Sequence, residues 1–289
     1  MLREGPSTCG QPEARVLKDT FKTSPLYVLP IFVSLLFGVL CAFVIWGLQV
    51  DFYTVTPFPE GVGSFGNGLY FVVLAGVGAS LLYLLLKRRG IKSVILVVGT
   101  ALTIAVFTLS IVYLYALFSM FTLPYTDATV LILSVFITVV ADFAVFRAHN
   151  RISTLVILLL GGALGAFLGI LIPTLSAILI LVFLAVYDVF TVFRGPVGKI
   201  AQSGLDQLKG LSFSFRNVQM GLGDLTFYSM LTSRAFANGG PWFWLASTIG
   251  VLIGVFLAFK MLEKKGMFPG LPFPIALGLI PLILSLYFS

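Results

Sequence analysis

Three of the eleven acidic residues, Asp142, Asp188 and Asp224, fall inside long apolar runs. The other eight (Glu4, Glu13, Asp19, Asp51, Glu60, Asp127, Asp206 and Glu263) lie in the polar N-terminal segment, in connections or at the ends of runs. A carboxyl group in the middle of a membrane-crossing helix costs about 2.5 to 3.5 kcal/mol on insertion scales, so it faces a partner, a cavity or a pathway. Asp188 precedes Arg194 by six residues and Asp224 follows Arg216 by eight. At 1.5 Å per residue these offsets are about 9 and 12 Å, and consecutive runs are antiparallel, so the two carboxylates share a depth. Carboxylates a few ångströms apart resist simultaneous ionisation and share one proton. Such a pair offers a general acid and a general base together, suited to adding water across an amide. The same pair is equally suited to carrying protons or ions, and a purely structural pairing is the weaker alternative. Asp142 reads as structural, because Arg147 and Arg151 lie close enough along the chain for it to snorkel towards them or rest at the interface.

The flanking residues add detail. Tyr187-Asp188 stands in AVYDVF, and Gly221-Leu222-Gly223-Asp224 opens GLGDLTFYS. Glycines there let another backbone approach and weaken the helix locally, though Gly-x-Gly-Asp alone is a weak signal. Residues 269 to 274 read PGLPFP. Its three prolines oppose regular helix, and Gly270 and Leu271 keep backbone groups that need partners, which an unwound peptide could supply as an added strand. If the last helix starts at Ile275, it has fifteen residues to Ser289. That is about 22 Å against about 30 Å of hydrocarbon, which draws Pro269-Gly270-Leu271-Pro272 roughly 8 Å into the bilayer, near the aspartates.

The elements that hold these residues are spans. With 59% apolar and 10% charged residues and a mean hydropathy of +1.08, the chain is excluded from the soluble globular class, where about a quarter of residues are charged. Apolar stretches of spanning length fall at roughly 26 to 49, 69 to 86, 91 to 118, 127 to 146, 152 to 172, 174 to 193, 217 to 236, 241 to 260 and 274 to 289. The expected fold is an all-α, multi-pass transmembrane helical bundle of nine spans, a single integral membrane domain over residues 1–289. Residues 1–25 form an N-terminal segment, 26–193 spans one to six, 194–216 a loop, and 217–289 spans seven to nine. Seventeen of the eighteen Lys and Arg residues fall on one side of these spans, Arg234 being the exception. By the positive-inside rule the N-terminus and the 194–216 loop are cytoplasmic and the C-terminus is outside. The net charge of +7 is then topology, and nucleic acid is not an expected partner.

Smaller features read as structure. The first 25 residues are polar and the run after them is too long for a cleavable signal peptide. Residues 50–68 carry Pro57, Pro59 and four glycines and read as turns. Ile200, Leu205, Leu208 and Leu211 fit a short interfacial helix or a plain amphipathic linker. Gly161, Gly165 and Gly169 give a small-residue face for close helix packing, and Trp242 and Trp244 an interfacial belt. Cys9 and Cys41 make neither a disulfide framework nor a metal cluster. His149 is the sole histidine and lies between Arg147 and Arg151. A histidine-ligated zinc protease or a serine–histidine enzyme therefore lacks its parts, and neither a metal nor an organic cofactor is expected.

The motifs together resemble the presenilin family of GxGD intramembrane aspartyl proteases. Tyr187-Asp188 matches the family's YD motif in the sixth span, Gly221-Leu222-Gly223-Asp224 its GxGD motif in the seventh, and Pro269-Gly270-Leu271-Pro272 its PALP motif before the ninth, with glycine in place of alanine. The resemblance covers the nine-span plan and, in its motifs, mainly the C-terminal half. It implies hydrolysis of peptide bonds within transmembrane proteins or peptides in the lipid bilayer, with Asp188 and Asp224 sharing the acid and base roles around one water. It further implies substrate contacts at Tyr187, Gly221, Leu222, Gly223, Pro269, Gly270, Leu271 and Pro272. The orientation is similar to that of presenilins rather than signal peptide peptidases, and the short connection after the sixth span is like that of a compact prokaryotic, archaeal homologue. Eukaryotic presenilins work with accessory membrane subunits; for this chain such subunits and oligomerisation are left open. From the residues alone, the competing readings are a proton- or ion-coupled transporter using the same aspartates and a noncatalytic membrane scaffold. The transporter should show paired half-repeats, and none is visible.

Overall fold

The computed structural model describes residues 23–47, 55–122, 124–194, 212–215, 218–265 and 268–288. After a 3-10 turn at Pro25–Tyr27 come α1 (Leu29–Trp46), α2 (Gly63–Arg89), α3 (Ile91–Met120), α4 (Asp127–Phe146), α5 (Asn150–Leu171) and α6 (Thr174–Arg194). An antiparallel hairpin of β1 (Ser212–Phe215) and β2 (Val218–Gly221) then leads directly into α7 (Leu222–Lys265), and α8 (Pro272–Phe288) ends the chain. Seven helices are long and apolar enough to cross a membrane, with Pro272–Tyr287 a shorter apolar one.

α7 is two arms. Gly240 has φ 76°, a conformation glycine adopts without steric cost, and Pro241 beside it has no amide to continue the ladder. The arms fold back on each other, since Asp224 and Tyr228 line the same small cavity as Phe259 and Leu262. A straight helix would hold Asp224 and Phe259 about 52 Å apart. Counting the arms separately, the described residues contain nine apolar helical segments, in agreement with the hydropathy reading.

Helix association in hydrocarbon lacks a hydrophobic driving force, so small residues that let backbones touch take over that role. α5 is built this way. A β-carbon on Gly162 would run into Ser34 O on α1, and one on Gly165 into Thr226 O on α7. Hydroxyls stitch the same seams: Ser34 Oγ donates to Leu158 O and Ser229 Oγ to Gly162 O, each at 2.7 Å. The expected packing face of Gly161, Gly165 and Gly169 thus lies against the first arm of α7, the helix that carries Asp224. At the other end of that arm, Arg234 explains its exceptional place among the basic residues. Its guanidinium donates to the unpaired carbonyl of Ile172 past the end of α5 (3.1 Å), to Thr174 Oγ1 (3.0 Å) and to Asn238 Oδ1 (3.0 Å).

The structure moves several expected boundaries. The second span starts at Gly63, so residues 63–68, expected in turns, are helical. The polar groups of that turn-rich stretch are satisfied within protein: Asn67 takes the Phe58 N–H on Oδ1 and gives Nδ2 to Phe58 O, each at 3.0 Å, and also bonds Ser176 Oγ at 2.9 Å. The seventh span starts at Leu222 rather than 217, because residues 218–221 pair with 212–215 instead of winding into helix. Trp242 is exposed as a belt residue should be, whereas Trp244 buries its Nε1. Residues 195–211, with the expected interfacial helix or linker, and the N-terminal segment with Cys9 lie outside the described residues.

The α5–α7 contact gives a direct test. Gly165→Ala is expected to lower the midpoint of thermal unfolding in detergent, with an overpacking cost of about 1–3 kcal/mol. Gly78→Ala on α2, where a β-carbon meets nothing within 4 Å, should be neutral or slightly stabilising. Equal midpoints for the two variants would contradict backbone contact at Gly165.

Candidate active site

β2 ends at Gly221 and helix begins at Leu222, so Asp224 is the third helical residue of α7. A β-carbon on Gly221 would lie 3.9 Å from Asp224 Oδ2, so the residue before the helix stands against this carboxylate, and the positive end of the helix dipole favours negative charge there. Asp188 lies near the other end of its helix, six residues before Arg194.

Between the two carboxylates runs the irregular segment preceding α8. Leu271 N donates to Asp188 Oδ2 at 3.0 Å. On the opposite side, a β-carbon on Gly270 would lie 3.0 Å from Asp224 Oδ2. Tyr228 Oη donates to Gly270 O at 2.8 Å. Asp188 and Asp224 are close enough for their charges to interact. A cavity of about 90 Å³, lined in part by Asp224, Tyr228, Gly270, Phe259 and Phe268, leaves room for water beside Asp224. An acid–base pair with water beside it is equipped for hydrolysis.

Of the sequence-derived candidates, Asp188, Asp224, Gly221, Gly270 and Leu271 come together here. Pro269 is buried beside Gly270, and Gly223 is exposed on the first turn of α7. Leu222 lines a cleft of about 340 Å³ between α2, α3 and α5 and is not among the residues around the small cavity at Asp224. Tyr187 turns towards α2, where its hydroxyl lies 3.5 Å from the β-carbon position of Gly76. Pro272 starts α8 three residues before the expected Ile275, since the first turn of a helix has no use for the missing proline amides. The last helix therefore has 17 residues, about 25 Å, and the inferred drop of PGLP into the bilayer shrinks from about 8 to about 5 Å. The contacts themselves now carry the co-location. They also show that the backbone groups of Gly270 and Leu271 expected to await a substrate have partners inside the protein: Leu271 O accepts from Ile275 N at 3.0 Å.

Asp142 has a different partner from the arginines expected. Thr103 Oγ1 on α3 donates to its Oδ2 at 2.7 Å, while Oδ1 is buried with no hydrogen bond. α4 packs on α3 and α5, whereas the motif aspartates sit on α6 and α7, so Asp142 is not part of their site. His149 is exposed just before α5. The residue that sequence reasoning missed is Tyr228. Its signal was its place four residues after Asp224, which puts both on one helix face.

Known proteins provide a second line of comparison. Residues 199–289 match the family model of presenilin. The chain is 31% identical over 186 residues to presenilin-B of Dictyostelium discoideum, an alignment covering 60% of this chain and 39% of that protein's length. Among solved structures, it superposes on a presenilin family intramembrane aspartate protease in its C222 crystal form with a TM-score of 0.64 at 20% identity, covering 91% of this chain and 99% of that one. The P2 crystal form gives 0.63 at 21% identity, covering 90% and 97%. The chain is presenilin-like in fold along nearly its whole length, and the family model matches its C-terminal third, which includes Asp224 and PGLP; Asp188 precedes that third.

The glycine at position 270 sets how closely the segment approaches Asp224. Gly270→Ala requires the carboxylate to yield a few tenths of an ångström and should leave cleavage of a transmembrane peptide within about threefold of the parent. Gly270→Val, with two further methyls against Asp224 and Tyr228, should lower it at least about tenfold. Parent-like cleavage by the valine variant would show that the segment does not set the geometry.

Proposed function

We propose that this presenilin-like chain is an intramembrane aspartyl protease, hydrolysing peptide bonds within the transmembrane segments of other membrane proteins, with Asp188 and Asp224 as its catalytic pair. The observation that carries the reading is one peptide unit, Gly270–Leu271, held between two carboxylates on different helices of an apolar bundle. In the reaction one aspartate, ionised, takes a proton from the attacking water. The other, protonated, gives its proton to the substrate. The hydroxide adds to the scissile carbonyl, the C–N bond breaks and the amine leaves with a proton, so the pair returns to its shared-proton state. No metal or organic cofactor is required by these steps.

A substrate helix protects its amides with internal hydrogen bonds and must unwind before water attacks. The hairpin that runs into Asp224 offers an unwound segment a strand edge, a recognition mode in which backbone bonds supply the affinity. The cleft at Leu222 offers an apolar approach from the lipid side. Tyr187, Gly221, Gly223, Pro269 and Pro272 complete the proposed substrate-contacting set. The chain acts as one integral membrane domain over residues 1–289, its N-terminus and basic connections cytoplasmic and its C-terminus outside, so the aspartates lie towards the cytoplasmic leaflet. The transporter reading uses the same carboxylates, but the likenesses of sequence and fold are to presenilins.

The test is purified protein incubated with a transmembrane peptide, with new termini identified by mass spectrometry. Asp188→Ala and Asp224→Ala should each lower cleavage at least about a thousandfold while the protein still folds, and Asp142→Ala should stay within about threefold. A motif variant that cleaves at near-parent rate, or a dead Asp142→Ala, would sink the assignment. The rate should also be bell-shaped in pH, falling on the acid side when both carboxyls carry protons and on the alkaline side when neither does. A flat profile under chemistry-limited conditions would rule out the shared proton.

A further inference from the structure

The Gly270–Leu271 peptide unit is hydrogen-bonded at both ends, and the two bonds reach the two helices that carry the aspartates. Its carbonyl accepts from Tyr228 Oη on α7 at 2.8 Å, and its N–H donates to Asp188 Oδ2 on α6 at 3.0 Å. The peptide is trans, so C=O and N–H leave one rigid plane in opposite directions. The unit therefore acts as a strut of fixed length between Tyr228 and Asp188. Tyr228 stands one helical turn beyond Asp224, and both groups crowd Gly270: its β-carbon position is 3.0 Å from Asp224 Oδ2 and 3.6 Å from Tyr228 Oη. Tyr228 itself has no exposed surface, so its hydroxyl is shielded from bulk solvent and faces only the groups around this small cavity.

We propose that Tyr228 is a positioning residue for the aspartate pair: through this one peptide, its hydroxyl fixes where the Leu271 amide meets Asp188 and hence how Asp188 stands relative to Asp224. The proposal rests on the protease reading and deepens it. Without the hydroxyl, the Gly270 carbonyl is an unpaired acceptor in a place where that is costly, and it seeks another donor. The neighbouring acid that becomes a donor when protonated is Asp224. A Gly270 carbonyl bonded to Asp224 would hold the proton that the reaction needs. Hydrogen bonds in series polarise one another, so the Tyr228 bond also strengthens the amide's donation to Asp188.

Tyr228→Phe removes the hydroxyl and keeps the ring. The control is Ser247→Ala, which deletes a buried bond between the second arm of α7 and α8, Ser247 Oγ to Gly278 O at 2.9 Å, away from the aspartates. On a substrate that the parent cleaves and Asp188→Ala does not, Tyr228→Phe should lower kcat about tenfold with KM within about twofold, and Ser247→Ala should leave kcat within about twofold. Parent-like kcat in Tyr228→Phe overturns the proposal. So does an equal loss in Ser247→Ala, or a loss carried by KM. If Tyr228→Phe fails to fold, 3-fluorotyrosine placed at 228 keeps the bond and changes its strength. A change in kcat of about twofold or more at unchanged KM is then expected, and an unchanged kcat overturns the proposal. Should the parent cleave nothing, it is the protease reading that fails; an active parent with parent-like Tyr228→Phe removes the strut alone.

Discussion

A helix that stops within a membrane leaves backbone groups that no solvent can satisfy, and the protein must supply their partners itself. Before α8 this constraint is met by the very groups that make the site. The Leu271 amide goes to Asp188, the Gly270 carbonyl to Tyr228, and the Leu271 carbonyl back into the helix. The prolines on either side contribute by having no amide to satisfy, so a short irregular stretch needs few partners. A carboxylate inside a bundle is costly for the same reason an unpaired amide is, and each cost is lowered by the other. The arrangement of α6, α7 and α8 follows from keeping those groups in register.

That register needs helices that do not rotate or slide, and the packing supplies it. Where a β-carbon on α5 would fall inside van der Waals contact of α7 backbone, no side chain stands between the helices to cushion a shift. Serine hydroxyls bonded to facing carbonyls add direction to contacts that glycine makes close. The bend at Gly240 then returns the second arm of α7 to the neighbourhood of Asp224, so the C-terminal segments close around the site from two sides.

Much of this was legible in the sequence for a single reason: hydrophobic runs make every polar departure conspicuous. Asp188, Asp224 and the PGLP prolines stood out because each breaks the run in a way the bilayer penalises. What stayed hidden depends on partners distant in the chain. Tyr228 is one of ten tyrosines in an aromatic-rich sequence, and only its acceptor on Gly270 distinguishes it. For Asp142, proximity along the chain points to arginines, but the partner is Thr103 on the neighbouring α3. Apolar count does not reveal strand pairing, so the hairpin before Asp224 looked like the start of a span. The extension of α2 to Gly63 likewise depends on Asn67 reaching back to Phe58 and across to Ser176.

Arg234 carries a charge far from the basic rim, yet its hydrogen-bond partners are neutral: three backbone carbonyls of residues 169, 170 and 172, a threonine hydroxyl and an asparagine amide. Ions in the surrounding medium weaken attraction between opposite charges across water, with a reach of about 8 Å at physiological strength. They have little purchase on a guanidinium held by dipoles within protein. The tie between α7 and the α5–α6 turn rests on those dipoles, with the Glu60 carboxylate near enough to add attraction of its own, so salt would screen only part of it.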